Sequence, residues 1–125
     1  DLVKFAQNNP DREVSVFGWG ELDCEAFFSG YPNLTFGGAK KHEEVAEIFQ
    51  QSTALYHNPI VNEPFCRMMG EALLCGVKEI IGDTSKIGAY LEFQKVGYER
   101  FREGCNNASE NFWEKTKERS LTCVI

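Results

Sequence analysis

Short hydrophobic runs alternate along the chain with stretches in which apolar residues recur every third or fourth position. The recurring spacing predicts helices, whereas short runs of β-branched and aromatic residues that end at glycine, proline or asparagine predict strands. Predicted helices cover residues 2–8, 21–28, 41–51 and 64–75, predicted strands cover 14–17, 34–36, 53–57 and 78–81, and the chain beyond residue 91 is mostly helical with a break at 104–107. Strands separated by helices predict an α/β fold, a three-layer sandwich with a largely parallel sheet.

The composition indicates a single globular domain over residues 1–125. Of these residues, 42% are apolar and 13% are aromatic, which is more than a disordered segment carries. The chain opens on a predicted helix, without the strand that normally begins such a unit and without an initiator methionine. We therefore expect it to be a fragment of a longer protein.

Charge and hydropathy argue against two kinds of partner. The net charge is −6 and the isoelectric point about 4.9, whereas nucleic-acid binding relies on a basic surface, so we expect no nucleic-acid partner. No run of 18 apolar residues is present, so we expect no membrane span. Five cysteines without a Cys-x-x-Cys pair fit a reducing, cytoplasmic location and predict no bound metal.

Ligands of open parallel sheets bind beyond the carboxyl ends of the strands, where loops lead into helices. Two such places stand out in this sequence. One is the glycine-flanked turn Gly18-Trp19-Gly20, which is either a plain tight turn or a wall of a nucleotide pocket. The other is the loop that runs from His57 to the helix predicted to begin at Pro64. His57 itself is more often a structural residue than a catalyst at such a position.

The helix predicted from Pro64 has two distinct faces. On the 3.6-residue period the apolar residues share one face, which comprises Phe65, Met68, Met69, Ala72 and Leu73. The opposite face carries Glu63, Arg67, Gly70 and Glu71, with Glu63 and Glu71 about 80° apart. This spacing is also that of an ordinary surface ion-pair ladder, and the spacing alone favours the ladder. The amides of the first helical turn would nevertheless suit a phosphate or a sugar oxygen.

The residues around this helix resemble a known motif. Glu63-Pro64-Phe65, followed by Glu71-Ala-Leu-Leu-Cys-Gly76, is similar to the Glu-x7-Glu motif of the group 1 glycosyltransferases of the GT-B architecture. The order of Val16-Phe17-Gly18, Asn33 to Gly37, Glu43-Glu44-Val45 and Lys78-Glu-Ile-Ile also resembles that family, over about residues 2–90. The resemblance implies a Rossmann-like C-terminal domain that binds a nucleotide-sugar donor.

The same resemblance assigns roles to individual residues. Glu63 would face the donor sugar as the catalytic residue, and Glu71 would accept hydrogen bonds from the ribose. The backbone around Phe65, Cys66 and Arg67 would approach the sugar and diphosphate, and Gly18 and Trp19 would line the nucleotide pocket. The implied activity is that of a hexosyltransferase, with retention of configuration favoured. The implied partners are a nucleoside-diphosphate sugar as substrate and an N-terminal acceptor domain, with no tightly bound cofactor.

Two departures from the family pattern keep alternatives open. Cys66 stands where the family usually has glycine, and the basic residues that grip the diphosphate in the family usually lie in a segment that would precede Asp1. One alternative is therefore a degenerate, non-catalytic Rossmann-like binding or interaction domain. Another is a flavodoxin-like or receiver domain, but a receiver would need an acidic cluster after its first strand and Asp83 has no acidic neighbour.

Overall fold

Helices alternate with short strands in the computed structural model, which describes residues 2–18, 21–108 and 110. Among these residues the elements, in chain order, are α1 (Leu2–Asn8), β1 (Val14–Val16), α2 (Glu21–Phe28), β2 (Leu34–Phe36), α3 (His42–Gln51), β3 (Ala54–Tyr56), α4 (Arg67–Leu74), β4 (Glu79–Ile81), α5 (Gly88–Val96) and α6 (Tyr98–Asn106). A short 3₁₀ turn, Thr84–Lys86, precedes α5. The predicted α/β class is confirmed. These helices have ten residues at most, which is too short for any of them to traverse a bilayer.

The strands pair in parallel, as the sequence predicts. Strand β1 lies beside β2 with Val14 opposite Leu34, and β3 lies beside β4 with Ala54 opposite Glu79. Within the described residues, however, the four strands form two separate two-stranded sheets instead of one continuous sheet. Each strand is only three residues long and therefore contributes few ladder hydrogen bonds.

The chain divides into two compact units. The first comprises Asp1–Asn58 and Cys75–Gly82, and it contains both sheets and α1 to α3. The second comprises Pro59–Leu74 and Asp83–Ile125, and it contains α4 to α6. The single domain predicted over residues 1–125 stays a prediction.

Packing of the first unit joins α1 to the β3–β4 sheet. Ala6 is fully buried, and the neighbouring Phe5 ring lies 5.3 Å from the ring of Tyr56 on β3. An ion pair of 2.7 Å connects Arg12, in the loop after α1, with Glu79 on β4. Other buried side chains of this unit are Leu34, Phe49 and Val77.

Asn33 ties the end of α1 to the start of β2. Its side-chain nitrogen lies 2.9 Å from the carbonyl oxygen of Ala6 and 3.1 Å from those of Asn9 and Arg12. Its own carbonyl accepts the amide of Val14 at 2.9 Å. The last carbonyls of a helix have no partner within the helix, so Asn33 satisfies part of this end of α1.

The second unit has a core where α4 packs against α5 and α6. Its buried apolar side chains are Met69, Ala72, Leu73, Ile87, Ala89 and Phe101. The Phe101 ring lies 5.5 Å from that of Phe93 on α5, nearly perpendicular to it. The Tyr98 hydroxyl donates to the carbonyl of Leu74 at 3.2 Å and so caps the end of α4.

Two predicted helix boundaries are wrong. Helix α4 begins at Arg67 instead of Pro64, because Glu63 forms an isolated parallel bridge with Ile87 and residues 64–66 lie outside the helix. The helix expected from about residue 91 begins at Gly88 and has an unpredicted break at Gly97. The next helix, α6, ends at Asn106, within the break predicted at 104–107. Gly97 adopts a φ of 81°, which side-chain-bearing residues avoid, so the chain turns there.

Candidate functional site

The backbone of Glu63 is fixed four residues before the first residue of α4. Its amide donates to the carbonyl of Lys86 at 2.8 Å, and its carbonyl accepts the amide of Gly88 at 2.9 Å. The segment after β4 therefore holds Glu63 on both sides, and the Glu63 residue is half-buried. The backbone that carries this carboxylate therefore needs no further ordering when the side chain meets a ligand.

Cys66 caps α4. Its carbonyl accepts the amide of Gly70 at 3.0 Å, and its sulfur accepts hydrogen bonds from the amides of Met69 and Met68. The thiol in turn donates to the Glu63 carboxylate, whose nearest oxygen lies within 4.8 Å of the sulfur. Burial raises the pKa of the Cys66 thiol, and the bond to Glu63 raises this pKa further. The neutral thiol is a poor nucleophile.

Phe65 does not share a helical face with Met68 and Met69, contrary to the prediction. It precedes α4, its side chain remains 53% exposed, and its ring stacks on Phe101 with centroids 6.2 Å apart and planes at 18°. Gly70, predicted on the face opposite the apolar residues, is buried beneath this stack, where an added Cβ would lie 3.1 Å from the Phe65 ring. The first turn of α4 therefore uses glycine to let two aromatic rings approach.

Arg67 and Glu71 form one rung of the ion-pair ladder that the spacing predicted. Arg67 Nε lies 2.9 Å from Glu71 Oε1, and the two side chains are 81% and 30% exposed. Because Glu63 precedes α4, the predicted 80° offset between Glu63 and Glu71 on one helix is wrong. Exposed pairs at this spacing contribute only about 0.3–0.5 kcal/mol, so Arg67 can release the Glu71 carboxylate to a ligand at low cost.

The predicted site residues fall into two groups. Glu63, Phe65, Cys66, Arg67 and Glu71 lie together in the second unit, around the start of α4. Gly18 belongs to the first unit. Trp19 and Gly20 lie outside the described residues.

Gly18 lies at a bend beyond the carboxyl end of β1. It adopts a φ of 149°, and its amide donates to the carbonyl of Gly38 at 3.1 Å. The preceding Phe17 ring covers Gly37, where an added Cβ would lie 2.7 Å from Cδ1 of Phe17, and Lys40 Nζ lies 5.8 Å from the ring centroid. The sequence patterns did not mark Phe17 as a site residue. The available signal was an aromatic residue between a strand and a glycine.

His57 has a structural backbone role at the end of β3. Its amide donates to the carbonyl of Ile81 at 2.9 Å. Its carbonyl packs against Gly82, where an added Cβ would lie 2.7 Å from the His57 carbonyl carbon. Glycine at position 82 is thus needed both for this contact and for its own φ of 135°.

Compared with family models, with curated proteins and with solved structures, the chain matches none.

Proposed function

We propose that the chain is the donor-binding domain of a group 1 glycosyltransferase of the GT-B architecture, a Rossmann-like domain that binds a nucleoside-diphosphate sugar for hexosyl transfer to an acceptor. The observation that carries this proposal is the position of two carboxylates about the start of α4. The backbone of Glu63 is held four residues before the helix by Lys86 and Gly88, and Glu71 lies on the second turn. These are the two acidic residues of the motif that resembles Glu-x7-Glu.

The chemistry of these groups suits a sugar nucleotide. Carboxylates hold hydroxyl pairs well, because hydrogen bonds to a charged acceptor are about twice as strong as neutral ones. Glu63 would accept from the donor sugar, and Glu71 would accept from the ribose after exchanging its bond with Arg67. The partial positive charge at the start of α4 would stabilise the negative charge that grows on the departing nucleoside diphosphate.

A nucleotide titration followed by heteronuclear NMR tests this proposal. UDP, GDP and ADP and their sugar conjugates are added to the wild-type chain, to Glu71→Ala and to Glu92→Ala, whose exposed carboxylate lies on α5 and serves as the matched control. We expect saturable shifts for one base, clustered on residues 63–71, that disappear in Glu71→Ala and persist in Glu92→Ala. Since millimolar binding corresponds to only about 4 kcal/mol, NMR is the suitable method.

The outcome that contradicts the proposal is equally specific. Saturable binding that is unchanged in both Glu71→Ala and Glu63→Gln would place the nucleotide away from these carboxylates. Absence of shifts at high millimolar ligand, in a sample with a dispersed spectrum, would also count against a donor site built on α4.

One observation favours the second candidate, a degenerate binding domain without catalysis. The Cys66 sulfur occupies the amides of Met68 and Met69, which lie in the helical turn that would receive the donor. The variant Cys66→Gly frees these amides and removes the Cβ. Tighter nucleotide binding by Cys66→Gly than by a wild-type chain that barely binds would favour the degenerate domain. Saturable binding by the wild-type chain that Cys66→Gly leaves equal or weakens would favour the donor domain.

A further inference from the structure

Gly88, the first residue of α5, approaches the backbone of the candidate site more closely than a side chain would allow. A Cβ added at Gly88 would lie 2.6 Å from the carbonyl carbon of Pro64 and 3.2 Å from the carbonyl oxygen of Glu63. The φ of Gly88 is not positive, unlike that of Gly82 or Gly97. Glycine is therefore needed at position 88 for the contact and not for the backbone conformation.

This contact is what places two hydrogen bonds around Glu63. The Gly88 amide reaches the Glu63 carbonyl at 2.9 Å, and the Lys86 carbonyl accepts the Glu63 amide at 2.8 Å. Between these two anchors Ile87 is fully buried, which fixes the segment in the second unit. A methyl group at position 88 would separate the segment from residues 63 and 64 and lengthen both bonds.

We infer that Gly88 is a positioning residue for Glu63: the absence of a side chain at position 88 lets the start of α5 hold the Glu63 carboxylate beside the Cys66 thiol at the start of α4. The role of Glu63 in donor binding rests on the proposed function. The placement of Glu63 by Gly88 does not, and a measurement without nucleotide can test it alone.

Cys66 supplies that measurement. Its thiol donates to the Glu63 carboxylate, and this bond contributes to its raised pKa. Displacing or neutralising the carboxylate lowers the pKa of Cys66 and increases the thiolate fraction near neutral pH. Alkylation then accelerates, since the loss of intrinsic nucleophilicity with falling pKa offsets only part of the gain in thiolate. Mass spectrometry reads the reaction at Cys66 separately from the other cysteines.

The experiment compares iodoacetamide alkylation of Cys66 in the wild-type chain, Gly88→Ala, Glu63→Gln and the double variant. Gly104→Ala is the matched control, because Gly104 lies within α6 and an added Cβ there meets no atom within 4 Å. We expect several-fold faster alkylation in Gly88→Ala and in Glu63→Gln, and no change in Gly104→Ala. In the Glu63→Gln background, Gly88→Ala should increase the Cys66 alkylation rate only slightly further, because both changes act through the Glu63 carboxylate.

Two results would overturn the inference. One is a Cys66 alkylation rate in folded Gly88→Ala that equals the wild-type rate. The other is an equal acceleration by Gly88→Ala with and without the Glu63 carboxylate, which would indicate that the whole segment has become more mobile. If Gly88→Ala does not fold, hydrogen exchange of the wild-type chain decides. The Glu63 amide must then be protected by its bond to Lys86, and fast exchange at Glu63 would refute the placement.

The nucleotide titration separates this inference from the proposed function. If Gly88→Ala changes the Cys66 rate through Glu63 while no nucleotide binds to the wild-type chain, the positioning role stands and the donor site fails. If nucleotide binds through Glu63 and Glu71 but Gly88→Ala leaves both the affinity and the Cys66 rate unchanged, the donor site stands and the positioning role fails.

Discussion

The side-chain amide of Asn33 donates to the carbonyl of Ala6 at 2.9 Å, which joins the start of β2 to the end of α1. We expect Asn33→Ala to lower the free energy of unfolding by about 1–3 kcal/mol, because the carbonyls of Ala6, Asn9 and Arg12 lose a shared donor. Urea unfolding measures this change, with Asn62→Ala in an exposed loop as the control. Asn33→Asp, which keeps the shape but lacks the donors, should destabilise at least as much as Asn33→Ala.

Gly82 should tolerate no side chain. Its φ of 135° and its contact with the His57 carbonyl both oppose a Cβ. We therefore expect Gly82→Ala to lower the free energy of unfolding by about 2 kcal/mol or more. Gly30→Ala is the matched control, since an added Cβ at Gly30 meets no atom within 4 Å, and it should change stability by less than about 0.5 kcal/mol. If thermal or urea unfolding gives the same change in the free energy of unfolding for both variants, the contact between Gly82 and the His57 carbonyl is contradicted.

The stacked rings of Phe65 and Phe101 should be energetically coupled. A double-mutant cycle with Phe65→Leu and Phe101→Leu is expected to give a coupling of about 0.5–1.5 kcal/mol, the usual range for aromatic pairs. Phe101→Leu combined with Lys95→Ala, at an exposed position of α5, serves as the control and should be additive. A coupling free energy of zero between Phe65 and Phe101 would show that the stack does not stabilise the start of α4.

Stability should decline at alkaline pH partly because of two thiols. Burial raises the pKa of Cys66 and of Cys105 above the usual 9.0, so the folded chain retains these protons at pH values where the unfolded chain has lost them. Their contribution is complete below that usual pKa and is lost as pH rises through the folded-state pKa values. Urea unfolding between neutral and alkaline pH should therefore show a shallower decline in Cys66→Ser/Cys105→Ser. If the free energy of unfolding declines in parallel with pH in the variant and the wild type, the two thiols do not cause the decline.

The exposed ion pair between Arg67 and Glu71 should matter little for stability. We expect Arg67→Ala to change the free energy of unfolding by less than about 0.5 kcal/mol, since Arg67 is 81% exposed. If Glu71 binds ribose, the same variant should still bind nucleotide, because the carboxylate remains. A large loss of stability on urea unfolding would show that Arg67 makes a structural contribution beyond this pair.

Local patterns predicted much of the secondary structure. Helix α2 (Glu21–Phe28) and strand β2 (Leu34–Phe36) have the bounds that the sequence indicates, because periodicity and the neighbouring glycine and proline residues act within a few positions. The start of α4 was not predictable in this way. It depends on a bridge between Glu63 and Ile87, which lie far apart in the chain. Pro64 matches the usual first helical residue and gives no sign of that bridge.

The glycines also show which features follow from local sequence and which depend on contacts between distant segments. Gly97 and Gly104 look alike in the sequence, yet Gly97 ends α5 with a positive φ and Gly104 lies within α6. A glycine permits an unusual conformation without requiring it, so only the surrounding packing reveals which glycine breaks the helix. Gly70 and Gly88 are likewise required by neighbours that come from other segments.

For the candidate site, the sequence by itself determined which chemical groups are present and that they lie near a helix start: two acidic residues, with a cysteine and an arginine between them. The tertiary structure decided what each group does locally. It placed Glu63 before the helix, made Cys66 the cap, paired Arg67 with Glu71 and stacked Phe65 on Phe101. The reason is physical: residue identity fixes the available donors, acceptors and apolar surface, whereas contacts between distant segments select which of them meet.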